Sequence, residues 1–252
     1  MNIDAAKAMR EIVTGMPSST AVLEELGLDY CCGGDRSLED ACRLRGLSVE
    51  EVVGMLEANE RSSHRHCRGA RDWNAAPLAE LISYIVNKHH QFTRQALSEV
   101  RTLLPRVCAK HGDNHPELRM VESTFQDLDG ELTAHMFKEE QVLFPYIAEL
   151  EDGHRNNRPV SRPPFGTVEN PVRVMIREHD SAGENLKKIR ETTGDYVTPP
   201  DACTSYQALY RTLRALEEDL HYHICLENYV LFPRALEMEE AAGRAKGAPG
   251  RG

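Results

Sequence analysis

Two stretches decide how this chain reads: His135-Met-Phe-Lys-Glu139-Glu-Gln-Val-Leu-Phe-Pro145 and, 88 residues later, His223-Ile-Cys-Leu-Glu227-Asn-Tyr-Val-Leu-Phe-Pro233. The same offset carries Val121, Phe125, Leu128 and Leu132 onto Leu209, Leu213, Leu216 and Leu220. Apolar residues three and four apart mark the buried face of an amphipathic helix, so one helix has been written twice. Each copy follows another helical pattern that holds a histidine. Leu78, Leu81, Ile82, Ile85 and Phe92 make a stripe on which His89 falls centrally, with His90 100° further round at its edge; Val172, Met175, Ile176 and Leu186 do the same for His179. Two similar helical hairpins predict an all-α fold, an antiparallel four-helix bundle, and no stretch shows convincing strand alternation.

The bundle is expected over residues 76–240. Before it, residues 1–62 carry short helical patterns interrupted at Asp29-Tyr30-Cys31-Cys32-Gly33-Gly34-Asp35, and predict a small helical N-terminal domain. Ser48 is the expected cap of a helix running through Val49, Val52, Val53 and Leu56. Residues 63–75 are basic and polar and read as a linker. Asn170-Pro171 reads as the start of the third bundle helix, and residues 241–252 as a disordered tail.

At 100° per residue His135 and Glu139 lie 40° apart, on the stripe of Leu128, Leu132 and Val142; His223 and Glu227 repeat this with Leu216, Leu220 and Val230. Any one of these polar residues alone would read as a satisfied core histidine or a solvated glutamate. Together, His89, His135, Glu139, His179, His223 and Glu227 converge on the bundle axis, where unpaired charge is costly. Two metal ions resolve this, because four neutral imidazoles and two bridging carboxylates fill most of two coordination spheres. The donor set suits iron, and fits zinc or manganese less distinctively. Glu131 and Asp219 each lie four residues before a ligand histidine. They either orient ligands, line an iron or proton path, or are carboxylates at the polar end of the bundle.

Cys31 and Cys32 are the second candidate site. Adjacent α-carbons are only about 3.8 Å apart, below the usual disulfide range, so the pair reads as an exposed turn able to bind metal, react with nitric oxide or exchange disulfides. The plainer alternative is two small residues closing a turn. Cys42, Cys108, Cys203 and Cys225 lie on helical segments without metal spacing and read as core or incidental; His64, His66 and Cys67 fall in the basic stretch, His111, His115 and His154 read as loop residues, and His221 faces away from His223.

Composition bounds the partners. In 252 residues, 40 Asp plus Glu outnumber 30 Lys plus Arg, for a net charge of −10, which argues against nucleic-acid and anionic-membrane binding. No run approaches the roughly 18 apolar residues of a membrane span, and the first residues lack the apolar stretch of an export signal. A cytoplasmic protein with reduced cysteines is expected.

The motifs His-x3-Glu-Glu-x-Val-Leu-Phe-Pro and Glu-His-Asp-x-Ala-Gly-Glu, with Asp-Tyr-Cys-Cys-Gly-Gly near the N-terminus, resemble the di-iron proteins for repair of iron centres, a hemerythrin-like family. The resemblance covers residues from about 15 to 238. It implies the same six metal ligands, an oxo- or hydroxo-bridged di-iron centre, and a role for Cys31 and Cys32 in iron transfer or redox reaction. It also implies damaged iron-sulfur proteins as partners, a stress response, nitric oxide or oxygen as small ligands, and a homodimer. His90 departs from the family pattern. Oxygen-carrying hemerythrins resemble this fold with five histidines, and four leave both metals more accessible, which favours reactivity or iron release. The function implied is repair of iron-sulfur clusters damaged by nitric oxide or oxidants. The alternatives are reduction of nitric oxide, or nitric oxide or oxygen sensing, at the same site.

Overall fold

A computed structural model of the chain describes residues 3–16, 18–31, 33–66 and 72–247. Cys32 and Cys67 lie outside the described residues, as do the side chains of His64 and His66. Among the described residues the regular structure is helical, and the one β-type contact is an isolated bridge between Ala8 and Ser37.

The N-terminal unit is built from α1 (Met9–Gly15), α2 (Ser19–Glu25), α3 (Leu38–Arg45) and α4 (Val49–His66). Ser37 caps α3 by accepting the Asp40 N–H at 3.1 Å, and Gly46 ends it at φ 67°, a conformation that glycine adopts without a Cβ penalty. Ser48 accepts the Glu51 N–H at 3.3 Å, the expected cap of α4. That helix continues to His66, into the stretch read as a linker, because no glycine or proline between Leu56 and His66 stops it.

The bundle consists of four rods. The first is α5 (Leu78–Tyr84), a π turn (Ile85–His90) and α6 (Gln91–His111). The second is α7 (Leu118–Lys138), a π turn (Glu139–Leu143) and α8 (Phe144–Arg155). The third is α9 (Glu169–Thr192), and the fourth is α10 (Thr204–Leu226), a π turn (Glu227–Leu231) and α11 (Phe232–Gly247). Helix α9 begins before the Asn170-Pro171 signal, since Glu239 already accepts the Val168 N–H. Helix α11 runs seven residues into the segment read as a disordered tail, where alanines sustain it.

The internal repeat reaches further than its motif. Glu151 and Glu239, again 88 residues apart, play the same part in the two halves. Glu151 accepts the Leu78 and Ala79 N–H groups at 2.6 and 2.9 Å, and Glu239 accepts that of Val168 at 2.9 Å. Each carboxylate satisfies donors that a helix leaves unpaired at its N-terminus, and its charge suits the positive end of the helix dipole.

Two apolar clusters fill the bundle. One contains Leu97, Val100, Leu128, Leu132, Leu186 and Leu220, the other Leu81, Ile85, Leu143, Ile147, Met175 and Leu231. A third cluster, centred on Leu23, Tyr30, Leu38 and Leu56, takes in Ile224 and Cys225 of α10, so the N-terminal unit sits on the fourth rod. Tyr229 donates to the Cys31 carbonyl at 2.9 Å, and Glu24 accepts from His221 at 2.8 Å across the seam. Gly34 lies so close to Tyr229 that a Cβ there would meet the ring at 2.8 Å. No described helix is long and apolar enough to cross a membrane.

Candidate metal centre

Between the two bundle clusters lies a buried polar layer. His90, Glu139, His223 and Glu227 bring one ligand atom each within 4.8 Å of one another, and His135, Glu139, His179 and Glu227 form a second such group. Both carboxylates therefore belong to both groups. His90 Nε2 faces His223 Nε2 at 3.2 Å, and His135 Nε2 faces His179 Nε2 at 3.1 Å. Glu139 Oε2 lies 3.3 Å from both His90 Nε2 and His135 Nε2, and Glu227 Oε2 lies 3.1 Å from His179 Nε2.

The outer edges of the rings explain why their inner nitrogens are free. Nδ1 of His90 donates to Glu140 at 2.7 Å, that of His135 to Glu178 at 3.0 Å, and that of His179 to Asn228 at 2.8 Å. With the proton on Nδ1, the lone pair of Nε2 points inward, the arrangement a metal-binding histidine adopts. Arg94 also holds Glu140, and Lys138 also holds Glu178.

The layer is poorly satisfied as a hydrogen-bond network. Both oxygens of Glu139, Oε2 of Glu227 and Nδ1 of His223 are buried without a hydrogen-bond partner among the described residues. Burial and the neighbouring Glu227 charge push the Glu139 carboxyl up, yet His135 and His90 hold it below its ordinary value. Burial acts the same way on Glu227, and His223 and His179 pull it well below. The converse holds for two of the rings: burial disfavours their charge, but the carboxylates raise His90 and push His135 up to about 10, whereas burial holds His223 below its ordinary value. The cage thus calls for positive charge at its centre, which metal ions supply in place of protons. Orphaned carboxylate oxygens and converging imidazole nitrogens fit metal binding, and imidazole with carboxylate suits iron.

Four of the expected histidine and glutamate positions on α7, α10 and their π turns, His135, Glu139, His223 and Glu227, enter the cage, as does His179. His89 does not, and His90 takes its place. The cause is the π turn Ile85–His90. A turn closed by i→i+5 bonds advances roughly 82° per residue instead of 100°, so over five steps the face lags by about 90°, close to one residue. His89 instead donates Nδ1 to Asp219 at 3.0 Å, stacks on His223 and is flanked by Tyr84 and Tyr222. Its Nε2 is buried without a partner among the described residues.

The same lag corrects other positions. Val142, expected on the inner stripe, is 44% exposed, and Leu143 is buried in its stead. Ile176, on α9, which has no π turn, owes nothing to that lag: it lies at the edge of its stripe and is 38% exposed. Asp219 supports His89 and none of the caged histidines. Glu131 lies on the surface, bonded to Ser181 and Asn185, and does not touch His135. The groups that hold the rings, Glu140, Glu178 and Asn228, do not stand out in the sequence. Each adjoins a cage residue in sequence, and a neighbour 100° round the helix faces the next rod.

Cys31, expected on an exposed turn, is 3% exposed. Its N–H and thiol both bond Asp29, and it lines a cavity of about 400 Å³ with Asp29, Glu24, Asp180, Glu184 and Glu217. Gly33 and Gly34 do not provide positive φ; they permit close approach, Gly34 against Tyr229. His111 ends α6 and is buried, and His154 belongs to α8, so neither is a loop residue.

A four-rod bundle with this donor set belongs to the hemerythrin family: the profile of the hemerythrin HHE cation binding domain matches residues 81–235. The ScdA_N domain, described as a domain of unknown function, matches residues 5–60. Along nearly its whole length the chain is similar to a probable iron-sulfur cluster repair protein of Haemophilus influenzae, 34% identical over 232 residues that span 92% of this chain and 97% of that protein. It is 35% identical over 229 residues to the iron-sulfur cluster repair protein YtfE of Escherichia coli O8, spanning 91% of this chain and 96% of the relative.

Proposed function

We propose that this chain holds two iron ions and repairs iron-sulfur clusters damaged by nitric oxide or oxidants, giving up iron to the damaged cluster. The observation that carries the reading is the sharing of Glu139 and Glu227 between two histidine pairs, His90 with His223 and His135 with His179. One carboxylate per ion from each side makes a bridged pair of sites. When bound, iron supplies a redox-active and releasable metal. The remaining work falls to the protein. Glu140, Glu178 and Asn228 keep the Nε2 lone pairs inward, so the cage accepts a metal without first turning its rings. The two apolar clusters exclude water around it.

Two imidazoles and two shared carboxylates would give each iron four donors, fewer than six-coordinate iron takes, and the positions left open suit metal that must react or leave. Cys31, with Cys32 beside it in sequence, is the proposed acceptor or redox group during hand-over. Its cavity has a mixed charged lining in which Glu24, Asp29, Asp180, Glu184 and Glu217 outnumber Arg45, Lys187 and Arg190. The similarity to named repair proteins over both domains supports this reading. A cytoplasmic site of action, a homodimer, and nitric oxide or oxygen as small ligands belong to the same proposal.

The test mixes the iron-loaded protein with a cluster enzyme inactivated by nitric oxide, following its activity, iron transfer and nitrous oxide. Recovery of activity with iron transfer and without nitrous oxide is expected. Nitrous oxide with turnover and no recovery would select nitric oxide reduction instead.

A further inference from the structure

Among the described residues, three rings from outside the cage pack against its imidazoles: Phe144 stacks on His90, Phe232 on His179 and His89 on His223. Phe144 and Phe232 are buried in an apolar cluster, 3% and 1% exposed. His89 leads outward. Its ring lies 10° from parallel to that of His223 with centroids 5.6 Å apart, the Tyr84 ring follows at 5.3 Å, and the Trp73 indole lies 4.5 Å beyond Tyr84. Trp73, the one tryptophan of the chain, is half-buried, and Arg234 donates to its carbonyl at 2.9 Å. A continuous line of rings thus joins the candidate metal cage to a residue that solvent reaches.

The line has the properties of an electron path. Each step is ordinary aromatic contact, so π-systems meet without a saturated side chain between them. Indole and phenol give up an electron far more readily than the phenyl rings of Phe144 and Phe232. Charge is arranged along the line as well. The Asp219 carboxylate accepts from His89 Nδ1 at 3.0 Å and lowers the cost of positive charge crossing that imidazole. Lys88 donates to the Tyr84 oxygen at 2.8 Å, with its ammonium 5.1 Å from the ring centre, which makes Tyr84 a poor resting place for positive charge. Trp73 is therefore the terminus.

We propose that Trp73, Tyr84 and His89 form an electron path that supplies the cage when peroxide oxidises its bound metal, sparing the cage ligands. The path rests on the reading of the cage as an iron site, because only a redox-active metal draws on it. Hydrogen peroxide is the oxidant: its O–O bond breaks, and two electrons with two protons complete two waters. Both electrons come from the Trp73 indole by way of Tyr84 and His89. The indole takes up one water, keeps its hydroxyl and releases two protons. The net change is one oxygen atom gained by Trp73 and one water formed from the peroxide.

The experiment gives a stoichiometric dose of hydrogen peroxide to the full-length protein loaded with iron and to the same protein loaded with zinc, which has no redox chemistry. Fluorescence of the single tryptophan and peptide mass mapping report where oxygen enters. Trp73 is expected to lose its emission and gain one oxygen atom in the iron form, and to stay intact in the zinc form. Phe144 and Phe232 are expected to gain none, although both touch the cage. His89→Leu is expected to keep its iron and lose most of the Trp73 oxidation. The path is overturned if Trp73 stays intact in the iron form, if Phe144, Phe232 or the cage ligands are oxidised in its place, as a diffusing radical would do, or if His89→Leu oxidises Trp73 at the unaltered rate. Should that variant not fold, Tyr84→Leu decides by the same readout. A chain that takes up no iron would overturn the metal reading and the path together, whereas an iron-loaded chain with intact Trp73 overturns the path alone.

Discussion

His89 and His90 give the sharpest test of the metal centre, because a single turn of helix decides between them. In an uninterrupted α-helix His89 would face the axis; the π turn Ile85–His90 turns that face by about 90° and presents His90. His90 supplies one of four donors in one group and none in the other. His90→Ala therefore leaves His135, His179, Glu139 and Glu227 intact, and its expected iron content falls from about two to about one per chain. His89→Ala removes a ring packed between Tyr84 and Tyr222 and frees Asp219, whose side chain is 18% exposed. Loss of that packing and hydrogen bond costs on the order of 2 kcal/mol, or roughly 4–8 °C in Tm for a chain of this size, with both irons retained. The assay pairs iron analysis on proteins reconstituted in parallel with a thermal melt of each. If His89→Ala halves the iron while His90→Ala keeps the full complement, the register argument fails, and the loaded protein uses the α-helical register.

Glu139→Ala and Glu227→Ala should each remove both irons, since each carboxylate serves both groups; metal analysis showing a full complement in either variant would exclude shared carboxylates. Glu178→Gln should weaken metal binding roughly 10–100-fold by loosening His135, whereas Glu131→Gln, on the surface with Ser181 and Asn185, should leave it unchanged, as competition with a calibrated chelator would show. Removing the metal should lower Tm by roughly 8–16 °C, the loss of about 4 kcal/mol of linkage free energy at a thousandfold excess over Kd; scanning calorimetry showing equal melts with and without iron would contradict a buried cage that needs its ions. Gly34→Ala places a Cβ against the Tyr30 carbonyl oxygen and 2.8 Å from the Tyr229 ring, and should loosen the N-terminal unit, seen as faster proteolysis of residues before the bundle, with iron content preserved; unaltered proteolysis would show that neither close approach is needed.

The all-α bundle and most of the cage were legible in the sequence because both rest on periodicity. Leu128, Leu132, His135 and Glu139 share one stripe, and the 88-residue repeat makes the pattern self-checking. What was not legible is any departure from 100° per residue. Three π turns break that spacing among the described residues, each next to or within the metal cage, and no side-chain pattern announces an i→i+5 bond. The exchange of His90 for His89 and of Leu143 for Val142 both follow from this. Cys31 was misplaced for another reason. A Cys-Cys-Gly-Gly turn looks exposed until a second domain covers it, and Tyr229, which covers it, lies far away in sequence.

The two copies of the motif also differ where function requires it. In the first, Glu139 enters the cage, Glu140 orients His90, and Gln141 faces solvent. In the second, Glu227 enters the cage, Asn228 orients His179, and Tyr229 bonds the Cys31 carbonyl. Three consecutive residues of one π turn thus enter the candidate metal cage, orient one of its rings and bond the N-terminal unit. Two steps of the i→i+5 turn carry Tyr229 roughly 164° round the helix from Glu227, so Tyr229 reaches outward while Glu227 stays on the axis. The docking is accordingly one-sided: a bundle with two equivalent motifs places its cysteine unit over the second alone. A change in the cage that shifts Glu227 must also move the residues that hold Cys31, which mechanically couples the proposed iron store to the proposed acceptor.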